Sequence, residues 1–160
     1  MKPAITAAGA VAAAAVAGSV ASRPGSDWYR RLRKPSWQPP PAAFPLVWTP
    51  LYAAIAASGS RALSRAGHGR PDGHRQQAAV LRRLLLDMAL NAAWTALFFQ
   101  ARRPRAALAD LILLDAANVA LARRTWQADR LAGALLVPYT AWCAFATALN
   151  AEIVRLNPGA

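Results

Sequence analysis

The chain has 160 residues, enough for one domain, of which 56% are hydrophobic and only 16% charged, with 19 Lys and Arg against 7 Asp and Glu. A net charge of +12 suits nucleic acid, an anionic membrane surface or loops beside a bilayer, but the basic residues cluster at 30–34, 61–83, 102–105 and 123–130, each time between apolar stretches, and no Lys/Arg stripe follows an amphipathic helix. That pattern excludes nucleic-acid binding, and the lone Cys143, set in an apolar segment as a small buried hydrophobe, excludes a disulfide framework or a thiolate metal cluster.

Five apolar segments predict helices at about 4–21, 42–63, 81–101, 105–123 and 131–153 within a single integral membrane domain, 1–160. Each approaches the ~20 residues that carry an α-helix across a bilayer core. A soluble bundle would place polar residues every three or four positions on one face of each helix, and these segments mostly do not. The first segment, Lys2 followed by an alanine-rich run, also suits a secretory signal peptide. Between the first and second segments lies a basic, proline-stiffened stretch carrying Trp28, Tyr29 and Trp37, with Pro39 among its φ-fixing prolines, and loops rarely hold such large rings unless the rings stack on something. On the second segment Trp48, Tyr52, Ile55 and Gly59 share a stripe at ~100° per residue. The 64–80 stretch, with Gly67, Gly69, Pro71 and Gly73, reads as a flexible connector whose His68 and His74 have no other ligand type around them, so no metal site is expected.

The third segment aligns Asp87, Asn91, Trp94, Thr95 and Phe98. The fourth carries Asp115 and Asn118, read as hydrogen-bonding neighbouring helices, with Asp110 nearer its end. Trp126, near its end, reads as an interfacial anchor. The fifth aligns Pro138, Trp142, Phe145, Ala146 and Leu149. If the three aromatic stripes converge they wall a cavity with a few polar anchors, suited to a large, flat, mostly apolar ligand. The competing reading is plain packing and membrane anchoring of those rings.

Residues 28–52 read W-Y-R-R-L-R-K-P-S-W-Q-P-P-P-A-A-F-P-L-V-W-T-P-L-Y. The run resembles the signature of the translocator protein family (TspO/MBR, the tryptophan-rich sensory proteins or peripheral benzodiazepine receptors), W-Y-x-x-L-x-K-P-x-W-x-P-P and then F-P-x-V-W-T-x-L-Y. Leu90 to Phe99 and Pro138 to Asn150 resemble two further motifs of that family; the first segment matches only in length and apolarity. The resemblance implies five transmembrane helices around a pocket that the first loop closes, frequent dimerisation, and binding of porphyrins, haem and related tetrapyrroles as ligands with no resident cofactor. The family positions that bind ligand correspond to Tyr29, Pro39, Trp48, Tyr52, Asn91, Trp94, Trp142 and Ala146; Trp37, Phe98 and Phe145 join them as candidates from the loop and stripes. Arg30, Arg31, Arg33 and Lys34 would draw in acidic tetrapyrroles. A sterol motif proposed for some members, Tyr then a basic residue, is absent: Ala151 and Glu152 stand there.

The resemblance implies a receptor or carrier for tetrapyrroles; acid–base or nucleophilic catalysis lacks its residues, since no Ser/His/Asp set, carboxylate pair beside a base or phosphate loop is found. The resemblance also implies an alternative, light-dependent degradation of protoporphyrin with Trp48 and Trp142 at the positions of the implicated tryptophans; a ligand-responsive sensor is the third reading. Ala89/Ala93 and Ala92/Ala96 are small-xxx-small pairs that permit a homodimer through the third segment. Orientation is not legible, because basic residues split ten against nine between the two sides. The alanine- and arginine-rich composition points to a bacterial plasma membrane.

Overall fold

The computed structural model describes residues 2–22, 25–67 and 71–159. Six helices account for most of them, with no strand among the described residues: α1 (Lys2–Ala21), α2 (Asp27–Arg31), α3 (Ala43–Gly67), α4 (Gly73–Thr95, continued by a π-helical turn over Ala96–Gln100), α5 (Pro104–Ala128) and α6 (Arg130–Leu156).

The helices overrun the apolar segments, and the overrun corrects the expected connector. α3 continues to Gly67 and α4 already begins at Gly73, so most of the 64–80 stretch is helical and not a flexible connector. Arginine and glutamine are good helix formers, so a helix need not stop where its apolar face does. The join is compact: a Cβ on Gly73 would stand 3.1 Å from the Gly67 carbonyl oxygen, and Gln77 Nε2 donates to the Leu63 carbonyl at 3.0 Å. His74 is exposed in the first turn of α4, and His68 lies outside the described residues. The α5–α6 join is tighter still. Asp129 ends α5 through its N–H to Thr125 O (2.8 Å) and caps α6, its Oδ1 accepting the Ala132 N–H at 2.9 Å.

At the other end, α4 loosens into its π turn, where Ala101 N–H donates to Ala96 O, and Arg102 adopts φ 55°, a left-handed conformation rare outside glycine. Pro104 then opens α5 at a position where its missing N–H costs nothing.

The long helices form a ring in the order α1, α3, α6, α5, α4, each packed on its neighbours, with α3 reaching across to α4 and α5. The buried stripe of α1 is Ala7, Val11, Ala14 and Gly18, small residues that let helices approach closely. A Cβ on Gly59 would stand 3.0 Å from Leu84 and 3.2 Å from Ala7, so glycine sets the α1–α3–α4 crossing. α4 and α6 face each other across the bundle without close backbone packing.

Each long helix carries exposed aliphatic side chains. Val16, Leu46, Leu86, Leu113 and Val137, one from each, are all more than half exposed. By length and mean hydropathy alone, α6 qualifies as a membrane-crossing helix among the described residues.

Candidate functional site

Asp87, Asn91, Thr95 and Phe98 of α4 are buried and face the α3 and α6 rings, with Trp94 half-buried between them. Their polar groups join across the bundle. Tyr52 Oη donates to Asn91 Oδ1 (3.2 Å), Asn91 Nδ2 donates to Tyr139 Oη (3.3 Å), and Tyr139 Oη donates to Asp87 Oδ1 (2.8 Å). One turn nearer the first loop, Trp94 Nε1 donates to Asn150 Oδ1 (3.1 Å), whose Nδ2 donates to the Pro104 carbonyl (2.8 Å). Long side chains therefore bridge the α4–α6 gap.

The rings gather in three groups along this gap. Trp48 stacks on Tyr52 (centroids 5.1 Å apart) and meets Tyr139 edge-on at 6.2 Å. Trp142 lies against Phe145 at 5.3 Å and Phe44 at 6.0 Å, and Trp37 from the loop meets Phe145 edge-on at 5.7 Å. Trp94 stacks on Phe98 at 5.7 Å, with Tyr29 and Trp28 from α2 packed edge-on against Phe98 at 6.2 and 5.6 Å. Trp48, Tyr52, Trp94, Trp142, Phe145 and Ala146 are all half-buried, neither sealed in the core nor turned fully outward. Gly18 brings the α1 backbone to the same place: a Cβ there would meet Tyr52 Oη at 3.5 Å.

The first loop covers this end. Ser26 caps α2, accepting the Tyr29 N–H, and α2 presents Tyr29 inward. Burial raises the Tyr29 phenol pKa, partly offset by its hydrogen bond from Gln38 Nε2 (3.2 Å). Lys34 turns back over the Tyr29 ring (4.5 Å to the centroid) and donates to the carbonyls of Tyr29 and Leu32; burial lowers its pKa. Asn157, just past α6, clamps the loop: Arg33 N–H donates to its Oδ1 (2.9 Å) and its Nδ2 donates to Arg33 O (2.8 Å). Pro39 is half-buried, while Trp37 remains 49% exposed.

Two expectations change in detail. Pro138 is exposed, and the inward face of α6 is centred on Tyr139 and Cys143, one residue round from the stripe drawn through Trp142. Tyr139, fully buried, is the hub of the polar chain; its pairing with Asp87 left no periodic signal, because two single residues 52 positions apart meet only in the fold. Trp28, Phe44 and Phe99 also join the ring groups. Of the four cations at 30–34, Arg30 pairs with Asp27 and Lys34 is folded onto the backbone, so Arg31 and Arg33 are exposed with no ion pair among the described residues. On α5, Thr147 Oγ1 donates to Asp115 Oδ2 at 2.7 Å, so Asp115 does bond a neighbouring helix, and Asn118 is buried beside Cys143.

The model of the TspO/MBR family matches residues 5–156 of this chain. The chain is similar to Protein CrtK of Rhodobacter capsulatus, 36% identical over 152 residues that make up 94% of this chain and 89% of that protein. It is 39% identical to the Translocator protein of Homo sapiens over 136 residues, 84% of this chain and 78% of that protein. With the Tryptophan-rich protein TspO of Chlorobaculum tepidum it shares 36% identity over 136 residues, 85% and 83% of the two chains.

Proposed function

This chain belongs to the TspO/MBR family, a family of membrane proteins, and from that premise we propose that it is a multi-pass receptor or carrier that takes a porphyrin between α3, α4 and α6. In this reading α1, α3, α4, α5 and α6 cross a bacterial plasma membrane, and the 22–42 loop closes the end through which ligand enters. The observation that carries it is the α4–α6 gap, bridged by side chains and flanked by half-buried rings from three helices. Rings that could part without breaking backbone packing suit a flat macrocycle, whose faces stack on indoles and phenols. Asn91 and Tyr139 offer donors and acceptors to its polar centre, and Asp87 Oδ2 is a buried acceptor without a donor among the described residues. Arg31 and Arg33 stand at the mouth for the anionic propionates.

Titrating purified protein with protoporphyrin and following tryptophan quenching tests the reading. Trp142→Ala removes a stacking face and is expected to weaken binding about tenfold; quenching of equal strength and midpoint in wild type and variant overturns it. Affinity that is the same in low and high salt would remove the steering role of Arg31 and Arg33. A second copy pairs through the exposed side of α4, where Ala89 is exposed and Ala93 partly so; an unchanged detergent-solubilised mass for Ala93→Leu counts against that face.

One arrangement favours a second reading, light-driven oxidation of the bound pigment. Trp48 touches two phenols, and one of them, Tyr139, is hydrogen-bonded to a carboxyl, an oxidisable cluster beside a photosensitiser. Illuminating the protoporphyrin complex in air should then give a bilin-like absorbance in wild type that is lost in Trp48→Phe and Trp142→Phe; a spectrum unchanged by light leaves the carrier reading alone.

A further inference from the structure

A second feature lies at the opposite end of the bundle from the aromatic loop. Arg82 and Arg83 on α4 and Arg123 and Arg124 on α5 line a cleft of about 470 Å³ together with Ala79, Ala120 and Gln127. The spacing makes the cleft: 79, 82 and 83 fall on one face of α4, and 120, 123, 124 and 127 on one face of α5, where these two helices pack together. None of the four guanidiniums forms an ion pair with an acidic group among the described residues. Nearby partners are weak or already committed: Arg83 Nη1 donates to Ala79 O, Arg124 Nη1 donates to Gln127 Oε1, and Arg124 Nε is buried with no acceptor among the described residues.

Four unneutralised cations in one cleft repel each other unless an anion occupies it. The cleft's level along the helices says which anion. Arg83 is followed at once by the uncharged run beginning at Leu84, and Arg123 immediately succeeds the apolar run that ends at Ala122, so the guanidiniums sit at the margin of the apolar band on both helices. One turn further in, Leu86 and Val119 present 55% and 45% of their surfaces outward, a surface for acyl chains next to a headgroup position.

We propose that this α4–α5 cleft binds the phosphate of an anionic phospholipid, with Arg83 and Arg124 as the inner ligands and Arg82 and Arg123 as the outer ones. Planar guanidiniums bind phosphate oxygens in pairs, and basic pockets between transmembrane helices are known to hold lipids with several phosphates. The proposal rests on the membrane-spanning part of the reading above and is independent of the pigment.

Full-length protein in neutral detergent, supplied with cardiolipin, phosphatidylglycerol or phosphatidylcholine, is analysed by native mass spectrometry for retained lipid. Wild type should retain cardiolipin most and phosphatidylcholine least. Arg83→Gln/Arg124→Gln should retain about tenfold less cardiolipin, while Arg102→Gln/Arg103→Gln, at the other end, retains as much as wild type. The milder Arg82→Gln, at an exposed site, gives an intermediate loss if the double variant cannot be purified. Equal retention by wild type and the α4–α5 variants, an equal loss in the Arg102/Arg103 control, or no preference for anionic lipid overturns the proposal. Full displacement of the lipid by equimolar inorganic pyrophosphate also overturns it, in favour of a soluble phosphate ligand. If the variants stay membrane-bound and still bind protoporphyrin while retention is unchanged, the lipid site alone fails.

Discussion

The two ends of this bundle are closed by different means. At the end where α5 meets α6, the join is a single residue, Asp129, whose carboxylate accepts the Ala132 N–H and pairs with Arg61 at 2.7 Å and Arg65 at 3.5 Å. Ser58 Oγ adds a bond to the Ala132 carbonyl at 2.7 Å. At the opposite end a loop of some twenty residues lies over the helices, held by ring edges, by Asn157 and by the folded-back Lys34. Short joins and backbone contacts fix one end of the five long helices relative to each other, whereas ring contacts can separate and re-form without breaking a helix. The loop end is therefore held by side-chain contacts, and the joined end by a one-residue turn and backbone packing.

The largest effect is expected within the polar chain that spans the gap. Tyr139→Phe leaves Asp87 Oδ1 without its donor and Asn91 Nδ2 without its acceptor, both buried, and should lower stability by about 2–4 kcal/mol. A melting temperature indistinguishable from wild type would mean the chain does not hold α4 to α6. Next comes the joined end. A Cβ at Gly133 would stand 2.8 Å from the Trp126 Cα, backbone that cannot yield as a side-chain tip can, so Gly133→Ala should cost about 1–3 kcal/mol despite alanine's better helix propensity. If Gly133→Ala melts above wild type, the α5–α6 join is looser than these distances require.

The sequence carried much of this contrast, but unevenly. The aromatic loop, the stripes on α3 and α4 and the apolar spans were legible because ring spacing and charge punctuation are local. The helix ends were not. Polar turns such as 64–67 and 73–80 read as connector by composition, yet they are helical because neither glycine nor proline interrupts them in mid-turn and Gln77 ties one to the other. The ring groups of the candidate site were legible and its polar hub was not: Tyr139 stands beside the more conspicuous Pro138 and Trp142, and choosing the stripe through those two rotates the face by about 100°. The polar pairs Asp87–Tyr139 and Trp94–Asn150 depend on helix order around the ring, which no local pattern encodes.

A smaller effect separates the loop from the helices beneath it. Asn157→Ala removes two bonds to the Arg33 backbone that are exposed and so worth about 1 kcal/mol together. The global melting temperature should barely move, while bound protoporphyrin should leave about fivefold faster in stopped-flow displacement. Unchanged release together with a lowered melting temperature would reverse the assignment, making the loop part of the scaffold and not the closure.

The smallest effect tests the joined end by pH. Hydrogen bonds from Arg61 and from the Ala132 N–H hold the Asp129 carboxyl below its ordinary value of 3.8. A folded-state pKa below the unfolded one stabilises at pH above the unfolded value, and the contribution disappears as pH falls through the depressed one. Asp129→Asn keeps an oxygen for the α6 cap and removes only the charge. It should therefore melt a few degrees below wild type at neutral pH, with the gap closing as pH falls below 3.8. Because Arg61 and Arg65 are 40% and 63% exposed, added salt should narrow the gap as well. A gap that stays constant down to about pH 3 would show that the carboxylate's charge plays no part. The joined end would then owe its rigidity to the one-residue turn and the Gly133–Trp126 contact alone.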